Sequence, residues 1–435
     1  MRTRWAGAIM LSVCLNAQAQ LWHRGNLHMH STWSDGNVMP EDAVGWYRDH
    51  GYQFVCLSDH QILQLETNAW LEVGSKKLSP ATADAYLKAH PASAEVKRTG
   101  NRATLRLKTI WELKKMFDRP ESFLMVPGHE LNRVVSGLQV HMNAINVQDT
   151  IPYRYGDTPS ETFSRVENAV RAWGDEWQVP TLFILNHPIW PYFDITPAVL
   201  IGLPQVRFFE LCNADGGHVH PAHPAWYSHE KFWDVVNAFR IEDGYEAVYA
   251  TASDDTHNYT DPQGGARPGE GWICVRSAHL EPAALVQAMY RGDFYASTGV
   301  ALADVAFDAA SGTLTVKVAP EAGVTYTIRF TTTRAGFDRA TEPFDDPAKE
   351  KKPARAGLRY SDGIGKTAKI AQGTEASYTL APDELYVRAT VTSSKAAANR
   401  VNNEPEFDTA WTQPYGWRAW QARNPLPARL TPKKK

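Results

Sequence analysis

Residues 25–60, GNLHMHSTWSDGNVMPEDAVGWYRDHGYQFVCLSDH, decide the fold. His28 and His30 are one residue apart, and in an extended chain such residues share a face. Both imidazoles can therefore reach one point. Asp35 lies in a turn, Ser34-Asp35-Gly36-Asn37, that folds back toward them. Pro40 and Glu41 open a helix, since proline suits the first helical position and acids the first turn. Gly51 stops it, and residues 52–57 read as a buried strand ending at Asp59-His60. A strand–helix–strand unit with histidine and aspartate at both strand ends has the layout of a metal site. In α/β barrels, chemistry gathers at that end of the strands.

Downstream the rhythm is interrupted by a polar, lysine-rich stretch over 64–108, read as an insertion over the barrel mouth with one helix at 81–89. A short helix follows at 109–117. Residues 122–126 form a strand leading into Pro127-Gly128-His129-Glu130, and 140–147 alternate as a strand with His141 at its start. A helix over 161–177 precedes a strand at 181–185 that runs into Asn186-His187-Pro188. The strand at 206–211 carries Glu210 near its end. Its following loop holds His218, His220 and His223, read as a polar or substrate-facing loop, with recruitment of extra metal the alternative. Residues 247–252 are the last strong strand before Ser253-Asp254-Asp255-Thr256-His257, where Asp255 and His257 again share a face and Asp254 stands as support behind them.

Together these motifs resemble the PHP (polymerase and histidinol phosphatase) family of metal-dependent phosphoesterases. The resemblance spans roughly residues 22–300: H-x-H at His28 and His30, D-H at Asp59-His60, G-x-E at Glu130 followed by His141, and D-x-H at Asp255 and His257. It implies a distorted (β/α)7-type PHP barrel whose metal ligands are His28, His30, Asp35, His60, Glu130, His141, His187, Asp255 and His257. By that resemblance His28, His30, Glu130 and Asp255 surround one ion, Glu130, His60, His141 and His187 a second, and Asp35, His187 and His257 a third. It further implies hydrolysis of a small phosphorylated substrate by a metal-bound water held by Glu130, Asp255 and His257. Imidazole and carboxylate ligands without thiolate suit Zn, Mn or Fe more than Ca, and nine of them suit two or three ions. Departures are Asp35, where several family members carry histidine, His129 beside Glu130, and the long insertion. An amidohydrolase-like metallohydrolase also begins with H-x-H but relies on a bridging lysine or its equivalent. A non-catalytic metal-dependent binding module is the other alternative. Arg133, Arg207 and Arg267 are candidates to clamp a phosphate.

The 435 residues, 43% hydrophobic and 21% charged, allow two or three domains with substantial cores. A net charge of −3 provides no basic field for duplex nucleic acid. Residues 1–19 read as an export signal: Arg2 and Arg4, an apolar run over 6–15, then Ala17-Gln18-Ala19. The run is too short to span a bilayer, so the expectation is an exported protein, periplasmic or extracellular, without a membrane span. Cys14 raises lipoprotein anchoring as an alternative, to which Val13 is ill suited. Cys56, Cys212 and Cys274 lie in apolar runs and read as buried thiols rather than a disulfide framework. From about residue 300 short period-two runs predict a small antiparallel β-sandwich-like domain over 301–435, ending in a basic tail, Lys433 to Lys435. Trp411, Tyr415, Trp417 and Trp420 are expected to pack this domain back onto the barrel, with sugar binding the alternative.

Overall fold

The computed structural model describes residues 21–189, 195–215, 228–343, 357–398 and 406–426. The segment 1–19 with Cys14, the histidines 218, 220 and 223, and the tail 433–435 lie outside the described residues.

The first strand, Leu21–Asn26, pairs parallel with Phe54–Val55 and antiparallel with Trp272–Ser277. The helix Pro40–Asp49 connects the two parallel strands. It has proline at its start and Glu41 and Asp42 in its first turn, and buries Ala43, Val44 and Tyr47. These positions form one stripe of a 3.6-residue period. They pack with Val55, Leu57, Ile110, Leu113 and Phe117.

The fold is mixed α/β, and the strands nearest the motifs fall into two sheets rather than one closed barrel sheet. The larger has nine strands in the order Lys366–Gln372, Tyr326–Arg334, Glu384–Ala396, Phe407–Thr412, Phe294–Ser297, Trp272–Ser277, Leu21–Asn26, Phe54–Val55 and Leu124–Met125. The other has five: Tyr249–Ser253, Phe208–Asn213, Leu182–Leu185, Leu138–Ile145 and Gly128–Val135. Trp272–Ser277 takes the free edge of the first strand, so this sheet extends outward instead of curling shut. Isolated parallel bridges, Met29 to Thr256 and His60 to Glu130, link the two sheets beside the motifs.

Three local expectations change. His28 and His30 follow the first strand in an extended segment instead of lying on it. Glu130 and His141 sit inside paired strands, not at strand ends, because Gly128–Val135 and Leu138–Ile145 form one antiparallel hairpin around the turn at 136–137. The insertion holds the expected helix, Pro80–Ala89, but also a three-stranded sheet of Trp70–Glu72, Arg102–Arg106 and Val96–Thr99. Its Leu78, Ala83, Tyr86, Leu105 and Leu107 pack on Trp33 and Met39, beside the turn that carries Asp35.

Beyond residue 300 the strands are antiparallel. Leu302–Asp308, Thr313–Val318 and Glu375–Thr379 form a three-stranded layer. Its Leu314 and Val316 pack on Ile328, Phe330, Val387 and Val391 of the nine-stranded sheet. Trp411 joins the central core with Phe232 and Trp233. Trp417 and Trp420 pack on Val235, Ala238 and Ile241 of the helix His229–Glu242. Tyr415 stacks on Phe307 with ring centroids 5.6 Å apart. Trp411, Trp417 and Trp420 thus pack on the part of the chain before residue 300, whereas the Tyr415 ring stacks among the C-terminal strands. Cys56, Cys212 and Cys274 are buried and free. Among the described residues no helix is long and apolar enough to cross a membrane.

Candidate metal centre

The H-x-H and D-x-H segments are zipped together by backbone. His30 N donates to Thr256 O at 2.9 Å, and Asp255 N donates to His28 O at 2.9 Å. This brings the imidazoles of His28 and His30, both fully buried, to a centroid separation of 5.3 Å.

Each ring is oriented through one nitrogen. His28 Nδ1 lies 2.7 Å from Glu210 Oε1, so Nε2 faces Asp255 Oδ1 at 3.1 Å and Glu130 Oε2 at 3.3 Å. His30 Nδ1 meets Ser34 Oγ at 3.2 Å, and that hydroxyl donates to Asp59 Oδ1 at 2.7 Å. His30 Nε2 is then 2.9 Å from Asp255 Oδ1. His257 Nδ1 pairs with the Asp255 carbonyl at 2.8 Å, turning Nε2 to Asp35 Oδ1 at 3.4 Å. Tying one ring nitrogen this way selects the tautomer and leaves the other for a ligand.

Glu130, buried in its hairpin, is the hub. Its Oε2 lies 2.7 Å from His60 Nδ1, and its Oε1 lies 3.0 Å from His141 Nδ1 and 3.6 Å from His187 Nε2. Asn186 Nδ2 also donates to Oε1, at 2.9 Å. All nine positions converge in three groups: His28, His30, Glu130 and Asp255; Glu130, His141 and His187; and His30, Asp35, His60 and His257. Within each group one ligand atom per residue lies within 4.8 Å of the others. His60 touches Glu130 yet groups with Asp35, its Nε2 being 3.6 Å from Asp35 Oδ2.

The donor set fits divalent ions. Glu130 Oε2, His28 Nε2 and His60 Nδ1 are buried and make no hydrogen bond. Leaving such groups unsatisfied is costly, and native structures rarely do so. Cations beside Glu130 would give each of them a partner, and nitrogen and oxygen donors without sulfur suit Zn, Mn or Fe.

Proton equilibria report the same crowding. Burial raises the carboxyl of Glu130, but His28, His141 and His60 override it and hold the group well below its ordinary range. Asp255 behaves alike under His28, His30 and His257. Burial lowers His28, yet Asp255, Glu210 and Glu130 raise it well above its usual value. His257, also opposed by burial, is pushed up to about 10 by Asp35 and Asp255. Burial and the neighbouring His257 lower His30.

Two of the nine adopt left-handed backbone, His187 at φ 22° and Asp255 at φ 47°. Such residues cost about 1–3 kcal/mol each and persist where their surroundings over-determine them. Here the Asp255 amide is tied to His28 O, and the His187 amide to Glu210 Oε2 at 2.9 Å.

Glu210 is the carboxylate of this cluster that motif spacing missed. Its signal was a strand-end acid in Phe208–Asn213, with no neighbouring histidine to mark it. Besides His28 and His187, it accepts from Asn213 at 2.9 Å and Ser253 at 2.5 Å. Asp254 faces away and accepts from Asn26, Tyr47 and the amides of Gly269, Glu270 and Gly271. It supports the site through Asn26, whose Oδ1 accepts from the His28 amide at 2.9 Å. His129, buried, belongs to none of the three groups, and burial lowers its imidazole to about 4.

Of the three arginines, Arg207 pairs with Glu246, and Arg267 with Glu270 at 2.9 Å. Arg207 precedes its strand, at the end away from the cluster. Arg133 is exposed on the hairpin that carries Glu130 and stacks over Tyr155 at 4.9 Å.

No family model matches the chain, and no curated protein does. Among solved structures it is similar to a two-domain protein from Bacteroides vulgatus containing a predicted PHP-like metal-dependent phosphoesterase. That similarity has 12% identity and a TM-score of 0.39, over 91% of this chain and 95% of the other. A candidate metal-dependent phosphoesterase from Bifidobacterium adolescentis aligns at 12% identity and TM-score 0.28, over 55% and 90%. An amidohydrolase from Chromobacterium violaceum, with sulfate and no metal, aligns at 10% and 0.26, over 54% and 87%. Identities and TM-scores this low assign neither family nor activity.

Proposed function

We propose that this chain is a metal-dependent phosphoesterase holding two or three divalent ions (Zn, Mn or Fe) and cleaving a small phosphate ester. One observation carries the reading. His28, His30, Asp35, His60, Glu130, His141, His187, Asp255 and His257 converge into contiguous groups around a buried Glu130 whose inward oxygen lacks a hydrogen-bond partner. In this reading Glu130 would serve two of the ion sites and His30, through its Nε2, one of the two groups it adjoins. The bridging place that a lysine fills in the amidohydrolase-like alternative belongs here to a glutamate.

Bound ions would neutralise phosphate oxygens and lower the pKa of a water between them. The chain's own part is positioning. Glu210 and the Ser34–Asp59 pair hold imidazoles in register, and Glu130, Asp255 and His257 ring the place for an attacking water. We read the two bridged sheets as a distorted (β/α)7-type PHP barrel, with residues 301–435 as a C-terminal β-sandwich-like domain. Export rests on residues 1–19 alone.

The test is phosphate release by purified protein across nucleotide, sugar-phosphate and diester panels, with elemental analysis. A His28→Ala/Asp255→Ala double variant is the control. Release that requires bound metal and disappears in the variant is expected. Stoichiometric metal without release would favour the metal-dependent binding module, and metal-replete protein carrying no metal would overturn the site.

A further inference from the structure

Immediately after His60, Gln61 departs from what its exposed position leads one to expect. A surface glutamine ordinarily keeps its rotamer freedom, and ordering it carries an entropic cost. Here the amide nitrogen donates to Asn132 Oδ1 at 3.0 Å and to the Tyr155 hydroxyl at 2.7 Å, and also reaches the Asn132 carbonyl. The amide oxygen accepts from the Tyr153 hydroxyl at 3.0 Å. The two tyrosine hydroxyls lie 3.0 Å apart. The Gln61 backbone is left-handed, φ 57°, with its N–H donating to the Glu130 carbonyl at 2.7 Å.

These bonds tie together three ligand-bearing segments. Gln61 follows His60, Asn132 stands two residues past Glu130 on the same face of its strand, and Asn132 pairs in register with His141. His60 sits between two parts of the centre, one nitrogen toward Glu130 and the other toward Asp35. A small rotation of its ring would open the group formed by His30, Asp35, His60 and His257.

We propose that Gln61 is a positioning residue: with Asn132, Tyr153 and Tyr155 it latches His60 in place, and so sets the occupancy of the ion held by His30, Asp35, His60 and His257. This rests on the metal-centre reading above. The latch acts through His60 and touches neither ion nor substrate.

The discriminating variant is Gln61→Gly. Glycine adopts positive φ without penalty, so the backbone of residue 61 is not strained by the change, and a merely structural role predicts a lower ion-free melting temperature from the lost hydrogen bonds with unchanged metal binding. The full-length chain, stripped of metal, would be titrated with Mn(II) by calorimetry, and its ion-free melting temperature measured. The expected result is about 10-fold weaker binding of one ion, a loss that the change in ion-free melting temperature does not account for. The other ions should keep their affinities. A Tyr153→Phe/Tyr155→Phe double variant, which leaves the backbone of residue 61 untouched, should weaken the same ion. Parental affinity for every ion in both variants, or equal loss of all ions, would overturn the latch while sparing the centre. A parent chain that binds no Mn(II) would overturn both.

Discussion

Glu210 Oε1 accepts from His28 Nδ1 at 2.7 Å, and this contact decides which nitrogen of His28 faces the centre. A buried carboxylate behind a ligating imidazole fixes ring orientation and raises its basicity. Glu210→Gln keeps the shape and removes the charge. It is expected to weaken the ion nearest His28 by about 10- to 100-fold with little change in the far-ultraviolet circular dichroism. A titration indistinguishable from the parent would show that Glu210 serves packing only.

Glu130 belongs to two of the ligand groups and His257 to one. Glu130→Gln should therefore lower bound metal by two equivalents, and His257→Ala by one, as read by elemental analysis of metal-replete protein. Equal losses would contradict the sharing of Glu130.

Gly36 packs directly against the H-x-H segment. A Cβ there would lie 2.6 Å from the carbonyl carbon and oxygen of His30 and 2.7 Å from Ser31 Cα. Those atoms are backbone and cannot rotate away. Gly36→Ala should cost ~1–3 kcal/mol, the usual range for overpacking, and weaken the ion that His30 holds. Thermal melting and metal titration on one sample would check both, and a neutral substitution would refute the packing.

Arg388, fully buried, joins the C-terminal strands to the helix His229–Glu242 through Glu230 at 2.7 Å and Asp234 at 2.6 Å. Burial opposes ionisation of Glu230, but Arg388 and Arg329 override it and hold its carboxyl down at about 2. A depressed carboxylate contributes stability above its unfolded pKa, about 4.3, and loses it as pH falls toward 2. The melting temperature should thus fall between pH 4.5 and pH 2. Arg388→Met leaves Asp234 without its cation and Glu230 with Arg329 alone, and should cost about 3–5 kcal/mol at pH 7. It should also flatten that acid limb. An unchanged acid limb in the variant would place the titrating group elsewhere.

The candidate ligand set was legible because short motifs carry it. H-x-H puts two rings on one face whether the segment is a strand or an extended tail past its end, so the reading survived the shift of His28 and His30 out of the strand. The helix Pro40–Asp49 was legible from its proline, acids and stop glycine. Sheet pairing was not. Nothing local to residues 21–26 announces that 272–277 will take their free edge, and partners that far apart leave no periodicity in either segment. The hairpin that carries Glu130 and His141 is local by contrast, its strands joined by Ser136-Gly137 with positive φ at both, and the turn rather than the strand pattern is its signal.

The sequence by itself therefore determined the chemistry of the centre: which imidazoles and carboxylates could meet, and that no thiolate belongs among them. Tertiary structure alone decided that Glu210, Ser34 and Asp59 orient those rings, that Arg207 and Arg267 are spent on other acids, and that the sheet runs on into the C-terminal strands. The physical reason is range. Ligand spacing and helix caps act over a few residues, whereas the Glu210–His28 contact and the pairing of 21–26 with 272–277 join distant parts of the chain that meet only after it has folded.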